Sequence, residues 1–127
     1  MEIFALKGTA KTPTIKFDPK LGKLEIRGRS IPENSFDFYK PLLKMLDQYV
    51  SSPNSTTQLD IQLDYFNTSS SKCILDVIKR MSAIHSKGGK VIVNWYYEED
   101  DEDALKVGED YQAITNLPIN LIPTEVD

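Results

Sequence analysis

Leu59-Asp60-Ile61-Gln62-Leu63-Asp64-Tyr65-Phe66-Asn67-Thr68-Ser69-Ser70-Ser71 changes its period in the middle, and that change decides the fold. Up to Tyr65 the residues alternate, with Leu59, Ile61, Leu63 and Tyr65 on one face and Asp60, Gln62 and Asp64 on the other. That is a strand with one buried face. Asn67 to Ser71 is a run of helix-capping residues. Beyond it Cys73, Ile74, Val77, Ile78, Met81 and Ile84 recur at helical spacing until Lys87-Gly88-Gly89 stops them. A strand running straight into a long amphipathic helix is half of a strand–helix–strand unit, and Val91, Ile92, Val93 and Trp95, continuing to Tyr97, supply the second strand.

The flanks extend the same plan. Towards the N-terminus, Phe36, Tyr39, Leu42, Leu43, Leu46, Tyr49 and Val50 predict a further amphipathic helix, with Asn34 or Ser35 as its cap. Pro41 stands either near its start or at a kink. Before it come three short strands, Ile3–Leu6, Pro13–Asp18 and a stretch around Leu24 and Ile26, with Asp18-Pro19-Lys20-Leu21-Gly22 turning the second into the third. Towards the C-terminus, six acids from Glu98 to Asp103 lead into a short helix through Ala104, Leu105, Val107, Gly108, Tyr111 and Ile114, and Ile119 to Ile122 predict a closing edge strand. The expected fold is α/β: one domain over residues 1–127, with a mixed β-sheet and helices packed against it.

Composition narrows the function. The chain has 127 residues, of which 40% are hydrophobic and 27% charged, a soluble globular balance. Its 15 basic and 19 acidic residues leave a net charge of −4, which argues against nucleic acid as a partner. No apolar run approaches the roughly 20 residues that span a bilayer, so no direct membrane insertion is expected. The N-terminus has no secretion-signal pattern, and the single cysteine, Cys73, cannot form an internal disulfide, so the expected location is the cytoplasm. No paired cysteines or histidine cluster supports a metal, and no cofactor is expected; His85, the single histidine, reads as structural. The acid run lacks the spacing and mid-loop glycine of a calcium loop and reads as a solvated segment leading into a helix start. There is no phosphate-binding Gly-rich loop and no nucleophile elbow, and Ser69 with Lys72 is only a faint match to a Ser–Lys pair. An enzyme, such as a small hydrolase, is the weakest reading, and no catalytic residue is assigned.

The hydroxyl block is the most informative candidate site. A helix start exposes unpaired N–H groups and a positive dipole end, so a phosphate is at home there. Two readings fit Asn67-Thr68-Ser69-Ser70-Ser71: plain capping, or a phosphorylated hydroxyl that switches a binding surface. Arg27 and Arg29, around Gly28 and beside Ser30, either order that loop and meet a partner carboxylate or are a solvated strand end. Gly28 is expected to serve the backbone through a positive φ or a close approach. Phe36 and Tyr39 fit the core as well as an interface, and Phe38 a partner contact. Of the aromatics ending the fifth strand, Trp95 and Tyr97 take one face and Tyr96 the other, one of them core and the other a docking patch.

Gly8-Thr9, Thr12-Pro13, Ile26-Arg27-Gly28-Arg29-Ser30, Pro32-Glu33-Asn34, Phe38-Tyr39-Lys40-Pro41-Leu42, Tyr65 to Lys72, Trp95-Tyr96-Tyr97 and Gly108-Glu109 occur in this order. Together with the acid run they resemble the SiaC family of bacterial regulatory phosphoproteins, from about Gly8 to Pro118. The resemblance implies a domain similar to the STAS domains of anti-sigma-factor antagonists, controlled by phosphorylation at a strand-to-helix loop. It implies that Thr68 is the acceptor, with Ser69 and Ser70 as neighbouring candidates. It further implies a HATPase-type Ser/Thr kinase, a PP2C-like phosphatase, and an unphosphorylated form that binds and activates a diguanylate cyclase or similar signalling protein, feeding cyclic-di-GMP signalling and biofilm growth. Arg27, Arg29, Ser30, Asn67, Ser69, Lys72 and Tyr96 are the candidate partner-binding or loop-ordering residues. The alternative is a constitutive adaptor domain without phosphocontrol.

Overall fold

The computed structural model describes residues 1–126. The chain runs β1 (Phe4–Leu6), β2 (Thr14–Asp18), β3 (Lys23–Ser30), α1 (Ser35–Ser51), β4 (Thr56–Phe66), α2 (Thr68–Ser86), β5 (Lys90–Glu98), α3 (Glu102–Thr115) and β6 (Asn120–Thr124). The strands form one six-stranded sheet in the order β1-β2-β3-β4-β5-β6. β1, β2 and β3 are antiparallel neighbours, whereas β3, β4, β5 and β6 run parallel. The sheet is therefore mixed, as the sequence predicts.

Parallel strands laid down in sequential order, joined by the usual right-handed crossovers, send every helix to the same face. Burial follows that rule. Ile15, Phe17, Leu24, Ile26, Leu59, Ile61, Val93 and Trp95 are buried on the inner face, while Gln58, Asp60, Gln62, Asn94 and Tyr96 alternate with them on the face the helices leave uncovered. The helices close the core with Tyr39, Leu42, Leu46 and Tyr49 from α1 and with Cys73, Ile74, Val77, Ile78, Met81 and Ile84 from α2. The uncovered face is tied by a polar ladder: Asn120 Nδ2 donates to Asn94 Oδ1 at 2.9 Å, and Asn94 Nδ2 donates to Asp60 Oδ1 at 2.7 Å. The edges of the sheet are β1, three residues long, and β6, which contains Pro123.

Local chemistry explains the boundaries. Asn34 caps α1 by accepting from Asp37 N at 3.1 Å, and Pro41 sits inside that helix on its exposed side, forfeiting one backbone bond. In the β2–β3 turn Asp18 Oδ1 accepts from Lys20 N at 3.0 Å, and Gly22 takes φ +65°. A Cβ at Gly22 would lie 2.5 Å from the Thr56 carbonyl oxygen, so the turn requires glycine twice over.

One expectation changes here. Tyr65 does not join Leu63 on the inner face but is 56% exposed. The cause is a bulge: Gly28 pairs with Leu63 but Arg29 pairs with Tyr65, leaving Asp64 as the extra residue. A bulge inverts the alternation beyond it, so Tyr65 turns outward and Phe66 turns in against Trp95, with ring centroids 5.8 Å apart. Gly28, at φ +111°, takes the backbone conformation that the irregularity needs. In α3, which spans the expected residues, Ile114 lies off the inner stripe and is exposed. Ala104, Gly108 and Tyr111 form that stripe, and Gly108 lets the helix approach closely, since a Cβ there would lie 2.7 Å from Trp95 Cδ1.

Candidate functional site

The C-terminal ends of β3 and β4 lie side by side, with Ser30 opposite Phe66. From this end of the sheet α2 departs, and the first turn of α1 is packed against it. Asn67 caps α2: its Oδ1 accepts from Ser70 N at 2.9 Å, and its own N–H donates to the Ser30 carbonyl at 3.1 Å. The hydroxyls of the block then divide according to helical position.

Ser70 points into the protein and is fully buried. Its hydroxyl donates to the Ser30 carbonyl at 2.9 Å and accepts from Ser30 Oγ at 2.8 Å. Tyr39 OH lies 2.6 Å from Ser30 Oγ, and because Ser30 gives its proton to Ser70, the tyrosine is the donor in that pair. Burial pushes the Tyr39 hydroxyl far above its ordinary pKa, with the Ser30 bond opposing it, so it stays neutral. Ser35, also buried, completes the cluster from the first turn of α1, with Oγ at 2.8 Å from Ser69 Oγ and 3.1 Å from Ser70 Oγ. Every buried side-chain polar atom among the described residues has a partner. Ser71 is held separately: its Oγ pairs with Tyr111 OH at 2.8 Å, and Tyr111 OH also contacts the Ser71 carbonyl at 2.8 Å. Burial pushes the Tyr111 pKa up to about 12.

Thr68 is the exception. It is the first residue of α2, it is exposed, and none of the hydrogen bonds among the described residues involves its hydroxyl. Ser69 is half-buried and engaged, with Ser35 and with Asn67 Oδ1 at 3.2 Å. A reagent approaching the folded protein therefore meets the Thr68 hydroxyl first. Ser70, expected as a neighbouring acceptor, is a packing residue, because its hydroxyl is out of reach behind the first turn of the helix. The Ser69 hydroxyl is bonded to Ser35 and Asn67, and no described bond joins it to Lys72, so the Ser–Lys pair is not assembled.

The remaining candidates fall into three places. Ser30 and Asn67 are loop-ordering residues inside the network, and Ser30 is buried. Arg27 lies on the uncovered face, where it donates to Gln62 Oε1 at 2.6 Å, stands 3.7 Å from Glu25 and stacks over Tyr96 at 5.7 Å from the ring centroid. Arg29 is at the strand end, stacked over Tyr65 at 5.9 Å. Lys72, one turn along α2 from Thr68, is exposed. Lys72 therefore shares α2 with Thr68, Arg29 stands with Tyr65 at the strand end, and Arg27 pairs with Tyr96 farther along the uncovered face. The expectation that Tyr39 serves either core or interface resolves to core, and Trp95 is the core aromatic of its strand.

The acid run is partitioned rather than continuous. Glu98 ends β5, Asp101 caps α3 by accepting from Ala104 N at 3.0 Å, and Glu102 and Asp103 occupy its first turn. Among the described residues no three His, Cys, Asp or Glu side chains come together to hold a metal, and no helix is long and apolar enough to cross a membrane. Sequence reading missed the roles of Ser35 and Tyr111. Ser35 had a usable signal, a serine at a helix start, but its bonding partner lies 34 residues away.

Comparison with known proteins adds an independent line. A family model described as SiaC family regulatory phosphoprotein matches residues 6–124. An uncharacterised protein of Pseudomonas aeruginosa strain UCBPP-PA14 is 28% identical over 113 residues, covering 89% of this chain and 90% of its own. The crystal structure of apo-SiaC from P. aeruginosa superposes with a TM-score of 0.86 at 27% identity, over 96% of this chain and 99% of that one. The crystal structure of the diguanylate cyclase SiaD in complex with its activator SiaC, from the same organism, contains a chain that matches with a TM-score of 0.87 at 26% identity, over 95% of this chain and 99% of that one.

Proposed function

This chain belongs to the SiaC family of regulatory phosphoproteins, and we propose that it is a phosphorylation-controlled activator of a diguanylate cyclase. It is a signalling protein that acts through protein–protein interaction, not an enzyme. In this reading a HATPase-type kinase phosphorylates Thr68, a PP2C-like phosphatase reverses the reaction, and the unphosphorylated form binds and activates the cyclase.

One observation carries the reading. In a block of four consecutive hydroxyls, Thr68 alone is exposed and without a described bond, at the positive end of a long helix. The chemistry follows from that placement. A phosphate there adds roughly −1.5 to −2 charge and three strong acceptor oxygens. Net charge goes from −4 to roughly −6, a small global change but a large local one. The neutral hydroxyl is cheap to bury under a partner, whereas an unpaired phosphate costs several kcal/mol to bury. With each 1.4 kcal/mol worth tenfold in affinity, one modification is enough to dissolve a micromolar complex. The phosphate itself is tolerated by the free protein, since the N–H groups and dipole of α2 face it.

The test is reconstitution with the kinase, phosphatase and cyclase of the source organism. Intact-mass and fragment spectra should place one phosphate on Thr68 after kinase treatment and none after phosphatase. Cyclase activity should rise only with the unmodified protein. A cyclase stimulated equally by both forms would instead support the constitutive adaptor reading.

A further inference from the structure

Among the described residues only two aromatic side chains are largely exposed, Phe36 at 57% and Tyr65 at 56%. Both stand at the same end of the molecule as Thr68. Phe36 follows Ser35, whose hydroxyl is 2.8 Å from that of Ser69, and Tyr65 lies three residues before Thr68 at the end of β4. Neither exposure is forced by a lack of inner positions. Phe36 occupies the second residue of a helix that buries Tyr39 and Leu42, and Tyr65 is turned outward by the bulge at Asp64 while its neighbour Phe66 turns in. The bulge therefore aims a large aromatic at solvent beside the modifiable hydroxyl, which is a recurrent use of such irregularities. Arg29 stacked on Tyr65 adds a charged group able to grip a carboxylate without leaving the ring.

We infer that Phe36 and Tyr65, at the same end of the molecule as Thr68, are the apolar anchors by which the unphosphorylated protein grips the diguanylate cyclase, with Arg29 beside Tyr65. The inference rests on the function proposed above and names the surface that function uses. It commits to the cyclase as occupant because this end carries the modifiable hydroxyl and because a SiaC of the same fold has been crystallised on a diguanylate cyclase as its activator. Exposed aromatics next to an arginine are the residue types that dominate interface energetics. A doubly charged phosphate at this end keeps water in the contact and so reduces the benefit of burying either ring. The matching surface on the cyclase carries two apolar hollows and an acidic group.

Titration calorimetry of the unmodified protein against the cognate cyclase tests this with three alanine variants and one charge variant. Phe36→Ala and Tyr65→Ala should each weaken binding by tenfold or more. Leu21→Ala, which removes an equally exposed side chain at the opposite end of β3, should leave it within twofold. All three side chains are exposed, so thermal melting should match the wild type and exclude misfolding. If both aromatic variants bind like the wild type while Thr68→Asp does not bind, the anchors are wrong and the switch stands. If the wild type itself fails to bind the cyclase, the proposed function falls and this inference with it.

Discussion

The Ser35 hydroxyl lies 2.8 Å from that of Ser69, so the first turns of α1 and α2 share a hydrogen bond. Ser35 also reaches Ser70, and Ser70 reaches Ser30 at the end of β3. Three elements that meet at the candidate site are thus stitched by short hydroxyls, together with the Asn67 cap. Hydroxyls are short, so this corner has little slack, and its geometry depends on every member being present.

That dependence can be measured. Ser70→Ala should destabilise the fold by about 1–3 kcal/mol, because the buried Ser30 and Ser35 hydroxyls lose a partner. Ser30→Ala should cost a similar amount. The double variant should cost clearly less than the sum, since the second change removes a group that the first had already orphaned. Urea unfolding of the four proteins closes the cycle, and strict additivity would show that the serines act independently.

Thr68 should behave in the opposite way. It is exposed, so Thr68→Ala should change stability by no more than about 0.5 kcal/mol. The alanine variant should accept no phosphate at that position and keep wild-type affinity for the cyclase. Thr68→Asp should fold equally well and bind at least tenfold more weakly. Binding by both at wild-type strength would remove Thr68 from the interface.

Alkaline pH should unfold the protein earlier than an ordinary tyrosine content would. Tyr39 and Tyr111 both have pKa values raised by burial, Tyr111 to about 12, against about 10 in an unfolded chain. Between those limits the unfolded state has lost protons that the folded state still holds, so stability falls as pH rises. The contribution is intact below about pH 10, and each tyrosine then removes about 1.4 kcal/mol per pH unit. Urea midpoints from pH 8 to 11.5 should be flat and then bend downward, and Tyr111→Phe should make the bend shallower.

Gly108→Ala opposes two effects of known size. Alanine gains about 1 kcal/mol of helix propensity over glycine. The new methyl would lie 2.7 Å from both Trp95 Cδ1 and Leu121 Cδ2. Leu121 can rotate, but Trp95 is pinned, donating Nε1–H to the Ala104 carbonyl at 2.9 Å and sitting edge-on to Phe66 and Tyr111. Overpacking of this kind costs about 1–3 kcal/mol, so net destabilisation is expected. The emission of Trp95, the single tryptophan, reports the unfolding midpoint and any local shift together.

Periodic segments were legible in the sequence because one face of each is buried by one kind of neighbour. The stripe of Ile74, Val77, Ile78, Met81 and Ile84 and the alternation of Leu59, Ile61 and Leu63 read directly. Tyr65 did not, because a bulge depends on pairing with β3 and leaves no mark in β4 alone. The position of the candidate site was readable too, since a polar hydroxyl run between a strand and a helix is unusual. What could not be read was the division of labour within the run. Thr68, Ser69 and Ser70 are nearly equivalent as letters and differ only by the roughly 100° that each residue turns around the helix. That rotation sends Ser70 towards Ser30 and leaves Thr68 in water. Phe36 was ambiguous for the related reason that a first-turn aromatic on an amphipathic pattern fits either side of the stripe.

The edges of the sheet have a consequence for how the protein can meet others. β1 offers only three residues, and β6 contains Pro123, which has no N–H to donate. Neither margin is a good template for a visiting strand, so copies of the protein have no long seam along which to zip into a continuous ribbon. Recognition is left to side chains at the strand ends, where adding or removing one covalent group can change the outcome. A regulator read through its main chain would be far harder to turn off.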